Sequence, residues 1–236
     1  MLLFLLAAVA AEPVAIAPDV TVTQLADDVW MHTSYREIAG YGRIPSNGLL
    51  VRHDGTVTMI DTAWDAVQTE ALLTWSAEHL ALPSLVLPTH AHADKMGGLD
   101  AVHARGIDSV ALTLSNTLAA SREVPAAKRS LELEVAGTHA LPGLEVFRPG
   151  AGHTEDNLVV YVPSAQLLFG GCLIRPAASA SLGNTADGDV AQWDTSVARI
   201  VARYPDVTAV VPSHGPPGDA GLLTHTIALV KAHRAK

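Results

Sequence analysis

The sequence predicts an α/β fold, and three observations carry that expectation. Strand-like segments gather in two clusters along the chain, and amphipathic helical segments follow each cluster. No low-complexity linker or long charge run divides the chain, so both clusters belong to one unit. The residues best suited to chemistry sit at the ends of the apolar strand segments, where a rigid sheet aims its loops. Of the 236 residues, 49 % are hydrophobic, enough for one sizeable core.

In chain order, Val20–Leu25 and Val29–Thr33 read as strands. Gly48–Arg52 and Val57–Ile60 alternate around Asp54-Gly55, a hairpin turn signal. Residues Asp65–Leu80 are helical, with Val67, Leu72, Leu73 and Trp75 on one broad apolar side. The run Leu85-Val86-Leu87 ends a strand, a loop follows, and Gly97-Gly98 opens a helix. Asp108–Leu112, Leu131–Val135, Leu144–Phe147, Leu158–Val162 and Leu167–Phe169 are strands. Val190–Arg203 is a helix with Val197, Ile200 and Val201 inward. Val207–Val211 is a strand, and Gly218–His233 is the last helix. Trp30, Trp75 and Trp193 are assigned to packing. His32, His53, His79, His103, His139, His225 and His233 have no ligand spacing and are read as surface or core residues.

The stretch Thr89-His90-Ala91-His92-Ala93-Asp94-Lys95-Met96-Gly97-Gly98 packs two imidazoles and a carboxylate into five residues. Histidine is a preferred ligand of zinc and carboxylate an accepted one. Three more strand ends add donors. Gly150-Ala151-Gly152-His153 is a tight turn between two strands, Leu167–Gly171 runs into Cys172, and Val210-Val211-Pro212-Ser213 runs into His214. Cys172 is the single cysteine, so no intramolecular disulfide forms. Its place after Gly170-Gly171 favours metal ligation over an inert buried thiol, and a thiolate ligand argues against magnesium or calcium.

These motifs resemble the metallo-β-lactamases, in particular the two-zinc B-one subclass. The resemblance runs from about Val20 to the C-terminus. It rests on His-Ala-His-Ala-Asp-Lys-Met-Gly-Gly, Gly-His-Thr-Glu-Asp-Asn, Gly-Gly-Cys-Leu-Ile-Arg, Gly183-Asn184 and Ser213-His214-Gly215. In the wider hydrolase superfamily a histidine follows the Asp of the motif, and an Asp stands where this chain has Cys172. Here Lys95 takes the first position. Both departures argue against a lactone, thioester or phosphodiester hydrolase of the same superfamily. The remaining alternative is a non-catalytic zinc-binding protein, for which so complete a site is more than storage needs.

The resemblance implies a four-layer αββα sandwich and the hydrolysis of the β-lactam amide by metal-bound hydroxide. It implies a first zinc on His90, His92 and His153, and a second on Asp94, Cys172 and His214. Asp94 and Asn184 are the catalytic candidates, with Asn184 a hydrogen-bond donor to the carbonyl. Arg175 stands three residues after the cysteine, where most of the family has lysine, and is a candidate clamp for the substrate carboxylate. A solvated loop residue is its alternative. The segment Tyr35–Ser46, read as lying between two strands, is similar to the family's mobile flap, with Ile38, Tyr41 and Ile44 offering apolar contact; an ordinary hairpin loop is the alternative. Trp64 is read either as an aromatic wall or as a core residue. Asp61, at a strand end, is a candidate carboxylate acceptor behind a metal histidine, and Asp156 and Thr154 are further options.

A net charge of −9 argues against nucleic-acid partners. The expected partner is a small β-lactam, met by a monomer. Residues 1–11, an apolar run ending in small residues, read as a signal peptide without a positive n-region, and 12–236 as the single domain. The run is too short for a membrane-spanning helix. Export to the periplasm is the expectation.

Overall fold

In the computed structural model, residues 11–236 are described; all but Ala11 of the expected signal segment lies outside them. Two sheets face each other. The first has eight strands in sequence order: β1 (Val14–Ala17), β2 (Val20–Ala26), β3 (Val29–Ile38), β4 (Gly42–His53), β5 (Thr56–Ile60), β6 (Leu85–Leu87), β7 (Asp108–Leu112) and β8 (Arg129–Leu131). It is antiparallel through β5 and parallel from there to β8. The second runs β13 (Ala209–Pro212), β12 (Leu167–Gly171), β11 (Val159–Val162), β10 (Leu144–Phe147), β9 (Thr138–Leu141), with only β12–β13 parallel.

Side chains on a strand alternate between faces, and here both faces of each sheet are covered. On β4, Leu49 and Val51 point between the sheets and meet Val160, Phe169 and Val211 of the second sheet. Leu50 points the other way, to the helices α1 (Ala66–His79) and α3 (Leu99–Ala104), with Leu72, Leu73, Leu99 and Val102. On the far side, Val159, Leu168 and Val210 pack under α5 (Val190–Arg203) and α6 (Gly221–Arg234) with Trp193, Val197 and Leu223. The result is helix, sheet, sheet, helix. Two-sided burial explains why these strands read as continuous apolar runs.

Several expectations are corrected. Val67 is 81 % exposed on α1 and Val201 39 % exposed on α5, so each lies off its helix's buried side. The alternating run Leu131–Val135 is not one strand. The chain leaves the first sheet at Leu131 and enters the second at Thr138, and the turn between them is tied to Arg148 by Ala136 N donating to Arg148 O. Helix α4 (Thr113–Ala119), not among the expected elements, is only seven residues long. The flap segment is not a loop between strands. β3 and β4 continue through it as a two-stranded ribbon, paired from Tyr35–Pro45 to Ile38–Gly42. Only Ala39-Gly40-Tyr41 is left to turn, and Gly40 and Gly42 take φ of +82° and +77°, which glycine adopts without strain.

Candidate metal centre and substrate cleft

The ligand-bearing loops meet along one edge of the facing sheets. After β6 the chain turns through His90 and His92 into the short helix α2 (Ala93–Met96), which carries Asp94 in its first turn. His153 comes from the turn between β10 and β11, Cys172 from the end of β12, and His214 from the end of β13. Neither sheet alone supplies a complete set.

The rings of His90, His92 and His153 stand edge-on around a common point, with centroids 4.8, 5.2 and 5.1 Å apart. His92 Nδ1 and His153 Nε2 approach to 3.2 Å. Beside them, Cys172 Sγ lies 3.3 Å from His214 Nε2 and 3.7 Å from Asp94 Oδ2, and His214 Nε2 lies 3.6 Å from that oxygen. A tetrahedral zinc with bonds of about 2.0–2.3 Å separates its donors by about 3.3–3.7 Å. Most of these gaps are longer than the usual 2.7–3.2 Å of hydrogen bonds to oxygen. His90 Nε2 is buried and meets no hydrogen-bonding partner. Spacing, donor chemistry and that orphaned nitrogen all fit zinc.

Tautomers follow from the neighbours. His90 Nδ1 lies 3.2 Å from Thr89 Oγ1, which donates to Asp61 Oδ2 at 3.1 Å. A proton on Nδ1 therefore leaves the Nε2 lone pair for a metal. The Asp61 carboxylate hydrogen-bonds Thr89 and not a ligand histidine. It accepts from Thr89 N at 2.7 Å as well and lies 3.4 Å from Lys95 Nζ. Burial pushes its carboxyl up to about 6 despite Lys95. Asp156 likewise holds backbone, accepting from Ala91 N at 2.8 Å and from Arg122. Thr154 Oγ1 donates to Asn157 Oδ1.

The carboxylate that does reach a ligand histidine is Asp187, 2.9 Å from His92 Nε2. Sequence reasoning missed it, because it sits in an aperiodic loop 95 residues away. Lys95 was noted only for the histidine it displaces. It is fully buried, with Nζ 3.1 Å from Asp94 Oδ2 and 2.8 Å from Ser46 Oγ. Ser46 also donates to Asp94 Oδ2. Burial alone would raise the Cys172 thiol; His214, Lys95 and His90 outweigh it and hold the thiol well below its usual range. Burial, with His90 and His153, lowers His92 to about 4. Against their burial, the Cys172 thiolate raises His90 and lifts His214 to about 9, so the cluster offers a thiolate, a carboxylate and a neutral His92, and a metal binding there displaces protons from the other two rings.

Above the cluster opens a cleft of about 450 Å³. Ile38, Tyr41 and Ile44 of the ribbon, Trp64, Arg175 and Asn184 all line it, together with His92, Asp94, His153, Asp187 and His214. Trp64 is half-buried, donates Nε1–H to Ser34 O at 3.3 Å, and lies over His214 with centroids 6.5 Å apart. It is a wall of the cleft and no core residue. Asn184 Oδ1 accepts from Ala186 N at 3.0 Å, which turns the amide Nδ2 away from that turn. Arg175 is half-buried, and its Nε has no partner.

Comparison with known proteins agrees with this geometry. The model of the metallo-beta-lactamase superfamily matches residues 41–214, well over half of the chain. The chain belongs to that superfamily. It is 34 % identical to a metallo-beta-lactamase type 2 from Bacteroides fragilis, over 98 % of this chain and 94 % of that protein. It is 37 % identical to one from Bacillus cereus, over 90 % and 83 %. Among solved structures, a metallo-beta-lactamase from Erythrobacter litoralis with beta mercaptoethanol in the active site superposes with a TM-score of 0.90 at 37 % identity, covering 94 % of this chain and 100 % of that one. A Pseudomonas aeruginosa metallo-beta-lactamase in a mono-zinc form gives 0.88 at 40 % identity, covering 94 % and 100 %. The four-layer sandwich is therefore the metallo-β-lactamase fold.

Proposed function

We propose that this protein is a zinc-dependent β-lactamase that opens the β-lactam amide with two zinc ions, one on His90, His92 and His153 and one on Asp94, Cys172 and His214. The observation that carries the reading is the metal-like spacing of the donors at the floor of a cleft walled by Trp64 and Arg175. When bound, zinc supplies the nucleophile, by lowering the pKa of water from 15.7 to about 7, and polarises the carbonyl.

The chain's own residues do the rest. Asp94 is held by Ser46 and Lys95, so its carboxylate stays ionised and fixed beside Cys172 and His214. Arg175, whose Nε is buried, lines the cleft and offers the terminal nitrogens of its guanidinium to the substrate carboxylate. Asn184 presents Nδ2 to the carbonyl oxygen as charge develops there. Ile38, Tyr41, Ile44 and Trp64 cover the apolar part of the substrate and exclude water from it. All six donors and the cleft come from one chain, which supports a monomer. The apolar run of residues 1–11, ending in alanines, supports export to the periplasm. Among the described residues no helix is long and apolar enough to cross a membrane.

Turnover of a chromogenic cephalosporin, with and without a chelator, tests the activity, and elemental analysis tests the metal count. The expected result is turnover abolished by chelation and close to two zinc ions per chain. Absence of turnover in zinc-replete protein overturns the enzymatic reading. Saturation at one zinc, with the Cys172 thiol still reactive, overturns the two-ion reading.

A further inference from the structure

Asn47 touches no substrate-facing surface and is 2 % exposed on β4. Yet three of its hydrogen bonds converge on one place in the other sheet, while its backbone O accepts from Lys95 Nζ at 3.2 Å. Its Nδ2 donates to Pro212 O at 2.7 Å and to Gly215 O at 2.8 Å, and its backbone N donates to Ser213 O at 2.8 Å. Those three carbonyls bracket His214. Behind the amide, Thr33 Oγ1 donates to Asn47 Oδ1 at 2.8 Å. Two carbonyls on one side and a hydroxyl donor on the other fix the amide orientation, since a flipped group would set oxygen against oxygen.

The segment so gripped has little else to define it. β13 ends at Pro212, and Gly215 has φ of +141°, outside any ladder. His214 Nδ1 is then directed to Pro45 O at 2.7 Å, on the same strand as Asn47. With Nδ1 engaged, Nε2 faces Cys172 and Asp94. The tripeptide Pro45-Ser46-Asn47 therefore orients His214 through its first member, Asp94 through its second and the His214 loop through its third. Ser213 N also donates to Gly171 O at 3.0 Å, so the grip extends to the residue before Cys172.

We propose that Asn47 is the positioning residue of the second metal set: its side-chain amide locks the 212–215 turn of one sheet to β4 of the other and so fixes where His214 stands relative to Asp94 and Cys172. The chemistry demands asparagine. Aspartate has no donors and would face two carbonyls with a negative charge, serine has one donor, and alanine has none. Residues that hold a metal ligand in place change metal affinity by about 10–100-fold when lost. The proposal rests on the two-ion reading and is tested so that the two fail separately.

Zinc-buffered titration of wild type, Asn47→Asp and Asn47→Ala should show the second equivalent weakened about 10–100-fold and the first changed by less than about twofold. Amide hydrogen exchange on each protein as isolated should be faster across 209–218 in the variants, by about tenfold or more, and unchanged across 87–97. Should Asn47→Ala fail to fold, Thr33→Val removes only the hydrogen bond that orients the amide. It should move both readouts in the same direction by a smaller factor. A second equivalent within twofold of wild type with unchanged exchange overturns the proposal. So does equal weakening of both equivalents alongside a general fall in Tm, which marks Asn47 as ordinary core. If wild type itself saturates at one zinc, the two-ion reading fails, and the exchange arm alone decides whether Asn47 locks the turn.

Discussion

The floor and the rim of the cleft are built by opposite rules. On the floor, His90, Asp94 and Cys172 are at most 5 % exposed. Thr89 turns His90, Ser46 and Lys95 hold Asp94, and Pro45 aims His214. At the rim, Tyr41 is 67 % exposed at the tip of a two-stranded ribbon, and Asn184 is exposed, with Oδ1 accepting from Ala186 N. The difference teaches how the work is divided. Donor positions are fixed by contacts with the surrounding fold, because metal affinity punishes small displacements. Rim side chains stand at the open cleft, where a ligand can replace solvent around them.

The sharpest way to break this contrast is at the floor. Cys172→Ser replaces a soft thiolate by a poor neutral ligand. β-Lactam turnover should fall by more than the roughly 100-fold that accompanies loss of a supporting contact. One zinc should remain on His90, His92 and His153, as read by elemental analysis. Unchanged turnover in that variant removes Cys172 from the ligand set.

The rigidity of the floor also predicts an acid-sensitive stability. His32 is fully buried beside β4, with Nε2 3.3 Å from Ile60 O and Nδ1 unpartnered. Burial, helped by Lys95, lowers it from 6.5 to about 4. Its folded pKa is depressed, so between those values the unfolded chain binds the extra proton. Its contribution is therefore present above about pH 6.5 and is lost as pH falls towards about 4, by about 3 kcal/mol. Denaturant unfolding of wild type and His32→Gln at pH 7 and pH 4.5 should show the variant less sensitive to acid. Equal sensitivity would mean that His32 is not held neutral.

At the rim, Arg175→Ala should raise KM and cost about 1.5–3 kcal/mol in kcat/KM, nearer the lower figure because the cleft is open to solvent. Zinc content should not change. Arg175→Lys should recover much of the loss if reach matters more than the bidentate fork. Unaltered KM and kcat/KM across several β-lactams would leave the carboxylate to other groups.

Asp187 lies between the two regions, lining the cleft while bonding His92 Nε2. Asp187→Asn keeps shape and loses charge. It should weaken the first zinc by about tenfold, seen by chelator competition, with a smaller effect on KM. A change in KM alone would assign Asp187 to the rim.

The sequence by itself determined the chemistry of the floor. His90, His92 and Asp94 are close in the chain, and His153, Cys172 and His214 each follow an apolar strand, so local spacing and strand ends exposed all six. It also determined most strands and four of the helices, because two-sided burial writes long apolar runs. Only the tertiary structure decided what holds the donors. Asp187, Ser46, Asn47 and Lys95 are ordinary polar residues by pattern, and the donor segments they hold lie 48 to 168 residues away except where Lys95 adjoins Asp94. It moved Asp61 from a histidine to Thr89, turned the flap into a ribbon, and split the run Leu131–Val135 where the chain changes sheets. The physical reason is range. Periodicity reports which face of an element is buried, whereas a hydrogen bond between two sheets depends on how the sheets are stacked, and no local window contains that.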